Sequence, residues 1–445
     1  MQKHYFGTDS IRGRAGEPPI TAEFMLRLGR AAGRVLANGS AAPVFIGKDT
    51  RVSGYMLESA LEAGLVSAGA NVRLLGPMPT PAVAFLTRDL HGSAGIVISA
   101  SHNPYWDNGV KFFDGNGEKL ADAAELAIER ELDSAGTPSA RIGKAARVDD
   151  AVQRYAAHCR ATVPGLQLRG LRIVLDCAHG ATYHIAPKLF AELGAQVHAI
   201  GVNPDGENIN RDCGATHIAT LQAAVREHGA DIGIAFDGDG DRLAMADRDG
   251  RLFDGDQLLY AIVKDRHLAG RLHGGVAGTL MTNFALERRL GELGIPFARA
   301  KVGDRYVLEC LLERGWECGG ENSGHILCLD CHSTGDAIIS ALQVLAALVA
   351  SGASLAELTG DLVLLPQVLV NVRLAGTPDL QSPAVREATA GAEAALAGRG
   401  RVLLRPSGTE PVVRVMVEGE DRAHVQSLAE SIAAAVRAAG ERALA

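Results

Sequence analysis

The 445-residue chain lacks any run of basic residues, and its formal net charge is −8 at pH 7. That balance argues against a nucleic-acid partner and leaves only local basic pockets for anionic substrates. The opening Met1-Gln2-Lys3-His4-Tyr5-Phe6 has no apolar signal core, so export is not expected. Long hydrophobic runs are missing too. The longest, at residues 337–350, is interrupted by Ser340 and Gln343, is too short to cross a bilayer and predicts a buried helix, with no membrane role. Cysteines number seven, an odd count in a long chain with no export signal, which points to free thiols in a reducing, cytoplasmic setting. No Gly-x-Ser-x-Gly elbow is present, which makes an acyl-transfer triad a poor reading.

What is present is an ordinary globular composition, 47% hydrophobic and 22% charged, in a chain long enough for three or four domains. Strand-like and helix-like segments alternate from residue 44 onward. The alternation restarts near residue 172 and again near residue 255, the pattern of helix-covered parallel sheets. From residue 369 the texture changes to short strands and one long amphipathic helix, which predicts a smaller α+β domain. The expected divisions are residues 1–150, 151–254, 255–365 and 366–445, with a linker at Gly136-Thr137-Pro138. A helix is expected over residues 23–37.

Four stretches could carry chemistry. Ile96-Val97-Ile98-Ser99-Ala100-Ser101-His102-Asn103-Pro104 reads as a buried strand that delivers Ser101 to a loop, with the neighbouring His102 pointing away if the backbone stays extended. Asp237-Gly238-Asp239-Gly240-Asp241-Arg242 follows another apolar strand. Alternate spacing in an extended loop would gather the three carboxylates, whose mutual repulsion calls for a hard cation such as Mg²⁺. An EF-hand is ruled out, because Arg242 and Arg248 stand where its Gly and Glu belong. Gly319-Gly320-Glu321-Asn322-Ser323-Gly324-His325 offers Glu321 and Ser323 for sugar hydroxyls and His325 for a proton. Arg405-Pro406-Ser407-Gly408-Thr409-Glu410-Pro411 joins two strands as an anion nest, and Arg414 can add a second fork. Lys111 and Arg12 are further candidates near Ser101. Cys328 and Cys331 form a Cys-x-x-Cys with Cys310 and Cys318 upstream, but the irregular spacings make zinc a weak alternative.

Together and in this order, the four motifs resemble those of the α-D-phosphohexomutase superfamily over the whole chain. The opening Phe6-Gly7-Thr8-Asp9-Ser10-Ile11-Arg12-Gly13 and the segment Lys301-Val302-Gly303-Asp304-Arg305-Tyr306 look like the bacterial branch that acts on glucosamine phosphate. The resemblance implies three similar α/β domains with mixed sheets plus a smaller C-terminal α+β domain, arranged around a central cleft. In order they would contribute a phosphoserine loop, a Mg²⁺ loop, a sugar loop and a phosphate loop. The implied reaction interconverts glucosamine 6-phosphate and glucosamine 1-phosphate through a phosphoserine and a 1,6-bisphosphate, on the way to UDP-N-acetylglucosamine and peptidoglycan precursors. By resemblance the catalytic set is Ser101, His102, Lys111, Arg12 and His325. One Mg²⁺ would lie on Ser101, Asp237, Asp239 and Asp241. Substrate contacts would come from Arg242, Lys301, Glu321, Ser323, Arg405, Ser407, Gly408, Thr409 and Arg414. A homodimer, and a protein kinase or autophosphorylation that primes Ser101, stay open. The alternatives are a phosphomannomutase/phosphoglucomutase, an aspartyl-nucleophile phosphatase using Asp237, and a non-catalytic sugar-phosphate binder.

Overall fold

The computed structural model describes residues 3–7, 10–37, 41–134, 139, 141–373, 380–406 and 412–442. The expected linker at Gly136-Thr137-Pro138 lies outside them. By internal contacts the chain divides into two units, Met1–Thr279 with Ala298–Thr359, and Leu280–Phe297 with Gly360–Ala445.

The first unit contains a six-stranded sheet in the order Ser10–Arg14, Asp107–Asp114, Ala94–Ile98, Val44–Lys48, Val72–Pro77, Ala145–Arg147. The strands from Ala94–Ile98 to Ala145–Arg147 run parallel, as the alternation predicts. The other edge departs from that pattern. Beyond Ser101 the chain folds straight back, so Asp107–Asp114 pairs antiparallel with Ala94–Ile98, and Ser10–Arg14 adds antiparallel outside it. The sheet is therefore mixed, because a return without a crossover helix can only pair antiparallel. Its helices pack closely. A Cβ on Gly29 would stand 2.3 Å from the Leu61 carbonyl oxygen, and one on Gly64 would stand 2.3 Å from that of Leu26, so these crossings need glycine. The helix expected over 23–37 is α-helical only at Ala22–Ala32, after an N-cap in which Thr21 accepts from the Phe24 amide. It ends in a π-helical turn, Gly33–Ala37.

A second, five-stranded sheet has the order Leu252–Phe253, Leu243–Asp247, Ile232–Phe236, Arg172–Asp176, Gln196–Ile200. It repeats the arrangement, with parallel strands followed by an antiparallel return from Ile232–Phe236 into Leu243–Asp247. In a third sheet Val276–Thr279 pairs in parallel with Cys318–Gly320, which turns back antiparallel into Ile326–Cys328. The residues 337–350 expected as a buried helix form Ala337–Ser351, with most of its side chains buried.

The second unit holds a three-stranded antiparallel sheet in the order Gln367–Arg373, Val412–Glu418, Arg401–Pro406. Helices Pro383–Leu396 and Arg422–Arg442 cover it over a core that includes Val368, Val415, Val425 and Ile432. Helix Phe284–Glu292 belongs to this unit. The Glu418 carboxylate accepts from the Phe284 amide at 2.7 Å, and Arg401 donates to the carbonyls of Leu280 at 2.8 Å and Thr282 at 2.7 Å. Three sequence motifs in the first unit thus sit on turns between an inner strand and its antiparallel return. The fourth joins the pair Arg401–Pro406 and Val412–Glu418 in the second.

Candidate active site

Ala94–Ile98 is wholly buried, and it ends where Ser101 takes a left-handed backbone with φ of 52°. A serine holds that conformation only when its surroundings impose it. Here the Ser101 amide donates to Ser99 Oγ at 2.9 Å, and Ser99 Oγ donates to Asp49 Oδ2 at 2.6 Å. The Ser101 carbonyl accepts from Arg51 Nη2 at 3.1 Å and from Asn210 Nδ2 at 2.9 Å. Asn210 also reaches the Asn103 carbonyl at 3.1 Å, and the Arg51 guanidinium is fully buried against Asp49. The loop is clamped from both sheets, by Arg51 from the first and Asn210 from the second.

The turned backbone corrects the extended reading of His102. Its ring swings back so that Nδ1 lies 3.4 Å from Ser101 Oγ. Burial, followed by the nearby guanidiniums of Arg242 and Arg12, pushes the imidazole down to about 4, so it is neutral near pH 7.

Ser101 Oγ donates to Asp237 Oδ2 at 2.6 Å. The acidic loop is not extended either. Asp237 Oδ1 accepts from the amides of Asp241 and Arg242, both at 3.1 Å, and Gly240 has φ of 73°. The carboxylates converge because the loop turns around Asp237, not through alternation. A Cβ on Gly238 would lie 2.6 Å from the Ser101 carbonyl oxygen, so only glycine lets the two loops approach this closely.

All three aspartates are buried, and their ligand atoms lie within 4.8 Å of one another. Thr80 Oγ1 donates to Asp239 Oδ2 at 2.6 Å, and Lys111 Nζ lies 2.8 Å from Asp239 Oδ2 and 3.3 Å from Asp241 Oδ2. The Oδ1 atoms of Asp239 and Asp241 are buried with no hydrogen-bond partner. Buried carboxylate oxygens rarely stay unpaired, so these hard donors fit a Mg²⁺-like cation held with Asp237 and Ser101. Burial, and then the charges of Asp241 and Asp239, push the Asp237 carboxyl well above its usual range. Burial would raise Asp241 as well, but Lys111 and His325 outweigh it and hold that carboxyl well below.

These groups line one side of a cavity of about 440 Å³, bordered by Tyr5, Arg12, Ser101, Lys111, Asp241, Arg242, Asp304, Glu321 and His325 among others. Arg12 and Lys111 come from the paired strands Ser10–Arg14 and Asp107–Asp114, and Arg12 Nε donates to Ser10 Oγ at 2.9 Å. On the facing side Glu321 Oε1 accepts from the Gly303 amide at 3.1 Å. His325 is buried, with Nδ1 3.8 Å from Asp241 Oδ2 and Nε2 3.5 Å from Asp304 Oδ2. Burial alone would lower its imidazole, but these two carboxylates raise it. Gly324, at φ of 93°, has no room for a Cβ, which would meet the Leu243 carbonyl oxygen at 2.0 Å.

The structure thus brings together Ser101, His102, Lys111, Arg12, Asp237, Asp239, Asp241, Arg242, Glu321 and His325. Lys301 and Ser323 stand apart. Both are exposed and neither lines the cavity, and Lys301 Nζ lies 5.5 Å from the centre of the Tyr306 ring. Their side chains are exposed, whereas Val302, Gly303 and Glu321 beside them line the cavity. In the second unit Arg405 and Arg414 are cross-strand partners on one face, and burial followed by the Arg414 charge lowers Arg405. Ser407, Gly408 and Thr409 lie outside the described residues, as do Thr8 and Asp9. The Cys-x-x-Cys is no cation site: Cys318, Cys328 and Cys331 gather around the buried, positively charged Arg266. Sequence reasoning missed Arg51, Asn210, Thr80 and Asp304. Only Asp304 gave a signal, through its place in the Lys301–Tyr306 motif.

Comparison with known proteins places this arrangement. Residues 3–138, 153–250, 254–364 and 369–435 match, in turn, the three alpha/beta/alpha domains I, II and III and the C-terminal domain of phosphoglucomutase/phosphomannomutase. The chain belongs to that family of phosphohexomutases. Within it the chain groups with the phosphoglucosamine mutases, which are isomerases. It is 60% identical to the phosphoglucosamine mutase of Alkalilimnicola ehrlichii over 99% of this chain and 98% of that one. To that of Methylobacillus flagellatus it is 61% identical, over 98% and 99%. A crystal structure of a phosphoglucomutase/phosphomannomutase family protein from Burkholderia thailandensis superposes with a TM-score of 0.82 at 25% identity, covering 98% of this chain and 97% of that one.

Proposed function

We propose that the protein interconverts glucosamine 6-phosphate and glucosamine 1-phosphate, with Ser101 as the phosphoryl carrier. The observation that carries the reading is Ser101 Oγ at 2.6 Å from Asp237 inside a buried acidic triplet, at the edge of a sugar-sized cavity. O1 and O6 of a hexose are too far apart for direct transfer. Phosphorylated Ser101 therefore gives its phosphoryl group to O1, which forms a 1,6-bisphosphate. The bisphosphate turns over in the site, and Ser101 takes the group back from O6. Positioning and charge neutralisation supply most of the catalysis. Asp237, Asp239, Asp241 and the Ser101 phosphate would hold one Mg²⁺, which when bound offsets the charge on the moving group. Arg242 steadies that group from the cavity side. Glu321 receives sugar hydroxyls, and Lys111 and His325 exchange the hydroxyl proton, with Arg12 close by. Arg405, Ser407, Gly408, Thr409 and Arg414 are assigned the phosphate that is not reacting.

The aspartyl-phosphatase alternative fits poorly. Asp237 Oδ2 accepts the Ser101 hydroxyl and Oδ1 accepts two backbone amides, which orients this carboxylate as a partner of Ser101 rather than as a group aimed at substrate. The proposed setting is the cytoplasm, feeding UDP-N-acetylglucosamine and peptidoglycan precursors. No helix among the described residues is long and apolar enough to cross a membrane. A bisphosphate, a kinase or autophosphorylation would prime Ser101, and a homodimer remains part of the proposal.

The test is parallel turnover of glucosamine 6-phosphate, glucose 6-phosphate and mannose 6-phosphate, each with its bisphosphate primer. One charged contact at C2 is worth roughly 1.5–3 kcal/mol, so a preference of about tenfold to a hundredfold in kcat/KM for the amino sugar is expected. Equal or faster turnover of glucose or mannose phosphate would replace this reading with a phosphomannomutase/phosphoglucomutase.

A further inference from the structure

The strands Cys318–Gly320 and Ile326–Cys328 carry, on their connecting turn, the Glu321 and His325 groups of the cavity. At the base of this hairpin Cys318 and Cys328 are direct cross-strand partners. The amides of Leu329 and Glu321 donate to the carbonyls of Glu317 and His325, each at 2.9 Å. These bonds make 317–329 and 321–325 the hydrogen-bonded pairs, so Cys318 and Cys328 fall in a non-hydrogen-bonded pair by alternation. Such pairs bring Cα atoms to about 4.5 Å, inside the roughly 4.4–6.8 Å range that disulfides span. Both residues are buried, and their thiols share a hydrogen bond.

A cation is built against this pair. Arg266, on helix Gly255–Leu268 and only 4% exposed, places Nη1 3.2 Å from Cys318 Sγ and 2.8 Å from Asp330 Oδ1. Its Nη2 lies 3.1 Å from Gln343 Oε1 and 3.7 Å from Cys331 Sγ. The same guanidinium borders a cavity of about 430 Å³ between residues 162–166 and helix Ala337–Ser351. Within this group the Cys328 hydrogen bond and then Arg266 lower the Cys318 thiol, while Cys328 is raised and burial pushes Cys331 up to about 12. A thiolate, not a thiol, is the sulfur nucleophile.

We propose that Cys318 and Cys328 form a reversible disulfide when the protein meets a hydroperoxide, with Cys318 as the attacking sulfur and Arg266 as its positioning cation. The Cys318 thiolate attacks the terminal hydroperoxide oxygen. The O–O bond breaks, a sulfenic acid forms, and the alkoxide leaves and takes up a proton as an alcohol. The Cys328 sulfur then attacks the sulfenic sulfur, the S–S bond forms and water leaves. The result is a covalent staple at the foot of the hairpin that presents Glu321 and His325.

Full-length protein would be exposed to tert-butyl hydroperoxide under native conditions, alkylated, and cleaved after Glu321 and before Asp330 to separate Cys318, Cys328 and Cys331. The expected product joins the Cys318 and Cys328 fragments, is removed by dithiothreitol, persists in Cys331→Ser and is absent from Cys328→Ser. Slower formation in Arg266→Gln than in Arg266→Lys, with both variants melting cooperatively, would support the positioning role. A link through Cys331, or irreversible oxidation without a link, or no reaction at these cysteines, would overturn the proposal. The readout is a crosslink, so it stands or falls separately from the mutase reading.

Discussion

The two sides of the cavity are built alike and finished differently. Each presents its groups from a turn between an inner strand and an antiparallel return. On the Ser101 side nearly every polar atom of the turn has a protein partner: Arg51 and Asn210 hold the backbone, Ser99 the amide, and Asp237 the hydroxyl. Among the acidic groups there, Oδ1 of Asp239 and Oδ1 of Asp241 stay unpaired, as do Arg51 Nε and Asn210 Oδ1 behind them. On the Glu321 side the carboxylate has one short backbone contact and His325 has only longer approaches to Asp241 and Asp304. The difference separates two tasks. A reacting group must be positioned before substrate arrives, whereas groups that read a sugar in two orientations must keep bonding capacity for each of them.

The largest break in this comparison comes from Ser101→Ala. Mutase turnover should fall on the order of a thousandfold or more, with cooperative melting retained and stability lowered by roughly 1–3 kcal/mol, because the hydroxyl is the proposed carrier and its loss leaves Asp237 Oδ2 one donor short. Near-normal steady-state turnover would remove the phosphoserine from the account. Next comes Asp239→Asn, probed by thermal melts with and without Mg²⁺. At a hundred times Kd, metal should stabilise the wild type by about 2.7 kcal/mol. The variant should lose most of that gain, and equal stabilisation of the two would exclude Asp239 as a ligand.

Asn210→Ala sharpens the comparison by loosening the Ser101 turn without touching a reacting group. It leaves one hydrogen bond missing at each of two carbonyls, a loss of roughly 1–3 kcal/mol. The expected signature is a lower kcat with KM and Mg²⁺ affinity held, and a raised KM alone would count against a positioning role. The smallest effect is expected from Glu321→Gln on the opposite side. KM for glucosamine 6-phosphate should rise by about tenfold with less change in kcat, since a charge-assisted hydrogen bond becomes a neutral one. An equal fall in kcat with KM unchanged would move Glu321 into the chemical step.

Much of this site is legible in the residues themselves. An apolar run of Ile96, Val97 and Ile98 ending in small polar residues marks a strand that delivers a side chain, and three aspartates spaced by glycine mark a cation loop. The turned conformations were not legible, and they correct two local expectations. Ser101 is left-handed because Arg51 and Asn210 hold its carbonyl, and the acidic loop turns because Asp237 captures two downstream amides. Arg51 and Asn210 are far from Ser101 along the chain, so no spacing announces them. The mixed sheets were implied by the resemblance and not by the alternation, which marks no strand between Ser101 and residue 122, where Asp107–Asp114 folds back antiparallel. Lys301 and Ser323 show the reverse case, residues in well-marked motifs whose side chains point to solvent.

The central claim is that Ser101 lends and recovers a phosphoryl group. Its most direct test is to phosphorylate the protein with labelled hexosamine 1,6-bisphosphate, remove the excess, add glucosamine 6-phosphate and follow the label. The account predicts label on the Ser101 peptide before addition, then stoichiometric appearance of labelled 1,6-bisphosphate as that peptide loses it. Label on Asp237, or release from Ser101 as inorganic phosphate with none on the sugar, would contradict it.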